Sequence, residues 1–387
     1  MLIDRLPLQA VVFFLVAAAF STVYITQPVL PVLAEEFGAD PARVSLTVSA
    51  VVLGIALSIL PIGILTDRSS VQRILLAGGS VVVVCSLLAA LTEHLWTLIT
   101  VRFVQGLFVP MLTTSLVAYL ARTLPPERLN VVMGSYVSAT VTGGLGGRLL
   151  GGWLHPPAHW RYAFVTAAVL VGVATVLAVW RLRGDRPISH PAASGAGLWS
   201  LVVRIDLLRL FGVAFASFFA FSSVFNFLPF HLSEPPLAVP VQWVTALYLT
   251  YVLGILVGPL AGGISNRHGN GAAMSGGAAV FALGLMLSLL PSVPAVAVAL
   301  AAVCTGYFAV HASAVGALNQ RLETGRGRAN ALYVLFYYVG GWSGITASGY
   351  AYEHQGWRGV VVLCLVMMLV PLTLGLYELR RVPRTRP

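Results

Sequence analysis

The sequence predicts an all-α membrane protein of twelve transmembrane helices, arranged as two parallel-repeat six-helix bundles. Three observations carry that expectation: a composition too apolar for water, twelve long windows nearly free of charge, and a self-similarity at an offset near 200 residues. Of 387 residues, 58% are apolar and 9% charged, against roughly 45–50% and 25% in soluble domains. About 20 residues rising 1.5 Å each are needed to cross a hydrocarbon core of roughly 30 Å. Continuous runs of that length exclude a β-barrel, whose strands alternate in polarity over about ten residues.

The windows, in order, are Leu8 to Val32, Val44 to Thr66, Ile74 to Leu91, Leu95 to Ala121, Val131 to Leu154 and Tyr162 to Trp180. The second set is Leu207 to Phe230, Val241 to Ser265, Ala272 to Leu290, Ala295 to Leu318, Ala329 to Tyr352 and Val360 to Leu379. The first is about twice as long as a signal-peptide apolar region, and no small-residue cleavage site with a soluble domain follows, so it is expected to stay in the bilayer.

The net charge of +10 is the balance of 23 basic residues, all Arg, against 13 acidic ones. With the amino terminus inside and sides alternating thereafter, cytoplasmic segments hold 18 of the basic residues, counting Arg209 at the cytoplasmic edge of the seventh window, external loops three (Arg43, Arg161, Arg358) and span interiors two (Arg102, Arg148). That asymmetry is the positive-inside pattern. It orients the chain with both termini cytoplasmic and removes the argument for nucleic acid as a partner. Cys85, Cys304 and Cys364 fall in separate spans without metal-binding spacing, so they read as small apolar side chains, with no disulfide, metal or cofactor implied.

Polar landmarks repeat along with hydropathy. Gly106-Leu-Phe108 lines up with Gly306-Tyr-Phe308, Gly63 and Asp67-Arg68 with Gly262 and Asn266-Arg267, and Gly152 with Trp160-Arg161 lines up with Gly349 and Trp357-Arg358. A duplication explains this: residues 1–183 are read as one bundle, 184–204 as a polar cytoplasmic linker and 205–387 as the second bundle. Even numbers of spans make the repeats parallel, as in transporters whose two bundles rock about a central site.

After the second span stands Gly63-Ile-Leu-Thr-Asp67-Arg68-Ser-Ser-Val-Gln-Arg73, and the fourth span carries Arg102-Phe-Val-Gln105-Gly106. From Gly134, the fifth span places glycines at 143, 147, 151 and 152. These segments resemble the signature loop, the Arg-x-x-Gln-Gly pattern and the antiporter-associated glycine pattern of the major facilitator superfamily. The resemblance covers essentially the whole chain. Ser70 replaces the loop's turn glycine, Asn266 replaces Asp in its second-half echo, and Arg148 stands where the glycine pattern has proline. That run, with Leu332-Tyr333 and Tyr337-Tyr338-Val-Gly-Gly, is similar to small bacterial inner-membrane exporters. The resemblance implies a conformational latch at Gly63, Asp67, Arg68 and Arg73, echoed by Asn266 and Arg267. In it, Asp67 would meet the positive end of the eleventh helix.

A guanidinium at mid-span costs about 2.5–3.5 kcal/mol on insertion scales, so Arg102 and Arg148 need a reason. Both lie roughly 10 Å from the external ends of their spans, and the 13 acids map to loops or span ends. One reading is that they face a central cavity and meet an anionic or carbonyl-bearing substrate. The other is that they satisfy backbone carbonyls at helix breaks or snorkel outward. His311 is the intramembrane group placed to exchange protons near neutral pH, against a plain packing role. In the family, spans one, four, seven and ten line the cavity. Mapped here, these give Tyr24 and Gln27, Arg102 and Gln105, Ser222 and Asn226, and Tyr307 and His311. Phe218, Phe219, Phe225 and Tyr337 form an aromatic setting that suits an amphipathic organic solute.

No Walker loop, HExxH or Gly-x-Ser-x-Gly occurs. The expected function is therefore secondary active transport by a monomer in the cell inner membrane. Efflux of a small organic solute is favoured, with the proton as coupling partner. The alternatives are uptake symport or uniport of a metabolite anion and, from another class, an intramembrane enzyme or a sensor.

Overall fold

The computed structural model describes residues 7–66, 69–182, 198–322 and 325–381. Asp67 and Arg68 of the expected latch, and most of the expected linker, lie outside the described residues. The elements are α1 (Leu8–Ser21), α2 (Leu30–Phe37), α3 (Pro41–Thr66), α4 (Val71–Leu91), α5 (Leu95–Thr123), α6 (Pro126–Trp153), α7 (Arg161–Arg181) and α8 (Leu198–Val202). They continue as α9 (Ile205–Ser233), α10 (Val241–Leu247), α11 (Leu253–His268), α12 (Asn270–Leu287), α13 (Val293–Gln320) and α14 (Arg326–Arg381).

Among the described residues, nine helical segments are long and apolar enough to cross a membrane. The longest, α14, holds two of the expected spans, because Gly356 (φ 57°, ψ −148°) breaks the helical path between them. Only glycine adopts that region without strain. With α6, and with α1 and α2 together, the passes number twelve. Large apolar side chains such as Leu57, Leu91, Val176 and Leu260 are exposed along these helices, as a lipid-facing surface requires, since hydrocarbon gives no reason to bury them.

The first span departs from expectation. The window Leu8 to Val32 predicts a single spanning helix, but α1 stops at Ser21, the chain turns through residues 22–26, and a 3-10 turn at Gln27–Val29 leads into α2. Pro28 is the physical reason: it has no N–H to donate, and its ring excludes a helical carbonyl at Tyr24. The Gln27 amide accordingly bonds the Tyr24 carbonyl rather than that of Val23. Gly38, in the left-handed region, ends α2.

The chain separates into two compact units. One comprises residues 1–39, 46–193 and 241–248, the other residues 40–45, 194–240 and 249–387. In the first, α6 lies along α1 with Gly143, Gly147 and Gly151 set against the backbone of Ala17, Ser21 and Ile25. In the second, α14 lies along α9 with Gly340 and Gly344 set against the backbone of Phe215 and Phe219. Small residues every fourth position let two helix backbones meet, and both units do it at matching positions, offset by 197 on one helix and 198 on the other. Within its unit α9 is the hub: 78% of its apolar window is buried, against 39–56% in the other spanning helices.

The same contacts reset the register of the repeat. Gly78 faces the Phe108 carbonyl and Met111 Cβ, while Gly277 faces the Gly306 carbonyl and Ala309 Cβ. Gly306 is therefore the counterpart of Phe108, at an offset of 198, and the sequence pairing of Gly106 with Gly306 is two residues out. Cys304 takes the place of Gly106. Gly106 packs on Val51, and the Cys304 thiol correspondingly reaches Thr250 Oγ1 at 3.8 Å.

Candidate functional site

The break in the first span creates the first polar cluster. Arg102, on α5, is fully buried. Its Nη1 and Nη2 donate to the Thr22 and Val23 carbonyls, each at 2.6 Å, and its Nε donates to the Thr47 carbonyl at 3.0 Å. Nη1 also donates to Gln105 Oε1, one turn along the helix. Gln105 Nε2 then reaches Ser86 Oγ on α4 at 2.8 Å. Thr22 and Val23 sit where the helix has ended, so the guanidinium supplies the donors that the missing turn would have given. Arg102 and Gln105 brace α1, α3, α4 and α5 together.

Arg148, on α6, has other neighbours. It is 2% exposed and lies over the Tyr24 ring, Cζ to centroid 4.2 Å. Its Nε donates to Gln27 Oε1 at 2.8 Å and its Nη1 to the Gly144 carbonyl at 2.8 Å. Gln27 is fully buried, and its Nε2 has no hydrogen-bond partner. Tyr24 and Gln27 thus meet around one guanidinium through the turn and the 3-10 segment, not as two positions on a continuous helical face.

In the second unit the expected residues form an aromatic and histidine cluster. Tyr307 Oη donates to Tyr337 Oη at 2.8 Å, and Tyr333 Oη pairs with His311 Nδ1 at 3.2 Å. Phe218 stacks on Tyr337 at 3.6 Å and Phe221 on Tyr307 at 3.8 Å. The His311 ring lies 5.9 Å from Tyr307 and 5.5 Å from Tyr337. The sequence does not single out Phe221, and it brings in Tyr333 only through the Leu332-Tyr333 resemblance, not as a site residue. Tyr333 precedes Tyr337 by four residues, one helical turn, so the spacing carried the signal.

The remaining candidates are dispersed. Ser222 Oγ bonds the Phe219 and Gly341 carbonyls. Asn226 Nδ2 donates to Ser45 Oγ at 2.8 Å, and its Oδ1 is buried without a partner. Of the latch residues, Gly63 lies in α3 with open space around it, and Arg73, Asn266 and Arg267 are exposed. Beyond the first span's apolar run, Glu36 joins Arg161 at 2.6 Å and accepts from Trp160 Nε1 at 2.5 Å. Burial acts to raise the pKa of Glu36. The Trp160 and Arg161 hydrogen bonds, with the nearby charges of Arg161 and His159, outweigh it and hold the carboxyl below its ordinary value. Among the described residues, no group of three or more His, Cys, Asp or Glu could hold a metal ion.

Twelve helical passes built on one repeat, with polar clusters held inside the helix packing, define a multi-pass helical membrane protein. The family model of the Major Facilitator Superfamily matches residues 12–239 and 237–387, and the chain belongs to that family of transporters. It is 27% identical to the inner membrane transport protein YnfM of Escherichia coli (strain K12), over 92% of this chain and 87% of that one. It is 33% identical to a multidrug resistance protein B homolog of Mycobacterium tuberculosis, over 46% of this chain and 33% of that one. A crystal structure of a bacterial homolog of the human lysosomal transporter Spinster superposes with a TM-score of 0.75 at 14% identity, covering 96% of each chain. That likeness is one of fold.

Proposed function

We propose that this chain is a secondary active exporter of a small amphipathic organic solute, working by alternating access and coupled to the proton gradient through His311. The observation that carries the reading is the His311 cluster: an imidazole inside α13, paired with Tyr333 and ringed by Tyr307 and Tyr337. It is a group able to exchange a proton, set among rings that accept an apolar solute. The export direction draws on the fifth-span glycine pattern and on the partial likeness to a multidrug resistance protein. Residues 1–183 and 205–387 are the two moving bodies, joined by 184–204. Asp67, with Gly63, Arg68, Arg73, Asn266 and Arg267, latches one state. The protein acts as a monomer in the inner membrane, with both termini cytoplasmic. Arg102 is assigned to holding the broken first span, and Arg148, Gln27, Tyr24 and Asn226 remain as solute contacts.

The test is flux into inside-out vesicles. An acidic lumen is expected to drive solute accumulation, and His311→Gln is expected to keep downhill exchange while losing accumulation. Accumulation with an alkaline lumen would establish uptake symport instead, and a His311→Gln protein that still concentrates solute would remove the coupling role.

A further inference from the structure

We infer that Arg148, Gln27 and Tyr24 form an anion-recognising subsite, one that takes the carboxylate, or a carboxylate-like head, of an aromatic or amphipathic solute. The inference rests on the transport reading above and gives that solute a chemical class. It starts from Gln27. Arg148 Nε can bond only the amide oxygen, so the hydrogen bond at 2.8 Å fixes which way the amide points. The Nε2 is left buried, with two N–H groups and no partner. Gln27 is 0% exposed, so no bulk water touches this donor in the structure, and leaving its hydrogen bonds unmade is costly. It calls for an acceptor.

The surroundings say which acceptor. The adjacent group is a guanidinium 2% exposed, whose planar fork matches a carboxylate. The Tyr24 ring beneath it, at 4.2 Å, favours a flat cation–π stack and supports a planar ligand head. The sequence holds no Asp or Glu between residues 5 and 34 or between 128 and 184, which take in α1, the turn with Tyr24 and Gln27, and α6 from Arg128 onward. A cationic head would meet a like charge there, and a neutral amide would gain only part of the interaction. A Cβ at Gly144 would lie in ordinary contact with both Arg148 and Tyr24, so glycine there adds no side chain beside them. Arg102 takes no part, because its donors close the break in the first span.

The experiment compares three ligands of one shape, 2-naphthoate, 2-naphthamide and 2-naphthylmethylamine. Ligand-induced thermal shift of the purified protein is measured beside flux in vesicles. The wild type is expected to bind the carboxylate at least about tenfold more tightly than the amine, with the amide between them. Gln27→Glu is nearly isosteric and builds the anion into the protein. It is expected to keep the unliganded melting temperature and to lose carboxylate binding about tenfold or more, with the amide changed less. Preference for the amine, no shift with the carboxylate, or a Gln27→Glu protein that still prefers the carboxylate would each overturn the subsite. Carboxylate binding without flux of any solute would leave the subsite standing and overturn the transport reading.

Discussion

The two units share a skeleton and differ in chemistry. Each lays a glycine-spaced helix along a partner, α6 on α1 and α14 on α9, at positions related by 197 and 198 residues. In that register Arg148, Gln27 and Tyr24 correspond to Ile345, Phe225 and Ser222, while Thr113, Tyr136 and Val109 correspond to His311, Tyr333 and Tyr307. Thr113 is the side chain that acts on the Tyr136 hydroxyl, in the position from which His311 pairs with Tyr333. The duplication has thus kept the backbone approach and the tyrosine partner, and has exchanged the polar content. The two buried guanidiniums, Arg102 and Arg148, lie in one unit, and the His311 imidazole with its aromatics in the other. Packing between backbones tolerates little change, because a single Cβ in the wrong place must push two helices apart. Side chains beside it are free to diverge.

The largest effect follows from the feature found on one side only. α9 is helical throughout, but its counterpart breaks at Ser21, and Arg102 donates to the Thr22 and Val23 carbonyls at that break. Its own counterpart is Leu300, beside an unbroken span. Arg102→Leu is expected to orphan the buried carbonyls of Thr22 and Val23 and to cost on the order of 3 kcal/mol or more. Arg102→Lys is expected to recover only part of this, because one ammonium cannot span carbonyls on α3 and the first span together. Thermal unfolding in detergent measures both. An Arg102→Leu protein melting with the wild type would mean that Pro28 and its neighbours hold the break unaided.

A smaller effect tests the shared skeleton. Gly147→Ala and Gly344→Ala each drive a methyl into the facing backbone, at Ser21 and Phe219. Each is expected to destabilise by about 1–3 kcal/mol. Gly146→Ala enters open space and is expected to be neutral or slightly stabilising, since alanine favours helix over glycine by up to about 1 kcal/mol. Unequal losses at 147 and 344 would show that the two ladders do not carry equal weight.

The fold was legible in the sequence because hydrocarbon thickness imposes long apolar runs, and each expected window overlaps an observed helix, although the first is broken at residues 22–26. What escaped was local or tertiary. The break at residues 22–26 was signalled by Pro28, but the apolar residues run on through it and hid it. Glycines 106 and 306 look alike in sequence, yet only the backbones they touch reveal that they are not counterparts. Arg102 and Arg148 were indistinguishable by depth. Their separation depends on which acceptors lie opposite: carbonyls freed by the break for one, an amide and a tyrosine face for the other. No spacing along α5 or α6 encodes those neighbours.

The smallest effect concerns the ends of the two repeats, where Trp160 and Trp357 are counterparts. Trp357 donates to Ser288, a neutral partner. Trp160 donates instead to Glu36, which also pairs with Arg161, and Arg161 holds the Thr92 carbonyl at 2.9 Å. The carboxyl of Glu36 is held below its ordinary value of 4.5 in the folded chain. Its contribution to stability is therefore complete above pH 4.5 and is lost as pH falls through the lower, folded value. The pair is partly exposed, so the loss is expected to be at most about 1 kcal/mol. In Glu36→Gln the acid-dependent part of the melting curve should flatten below that pH, while Ser288→Ala should leave the pH dependence as it is. If both proteins lose melting temperature with acid in parallel with the wild type, the acid sensitivity lies elsewhere, and the charged and the neutral tether are equivalent.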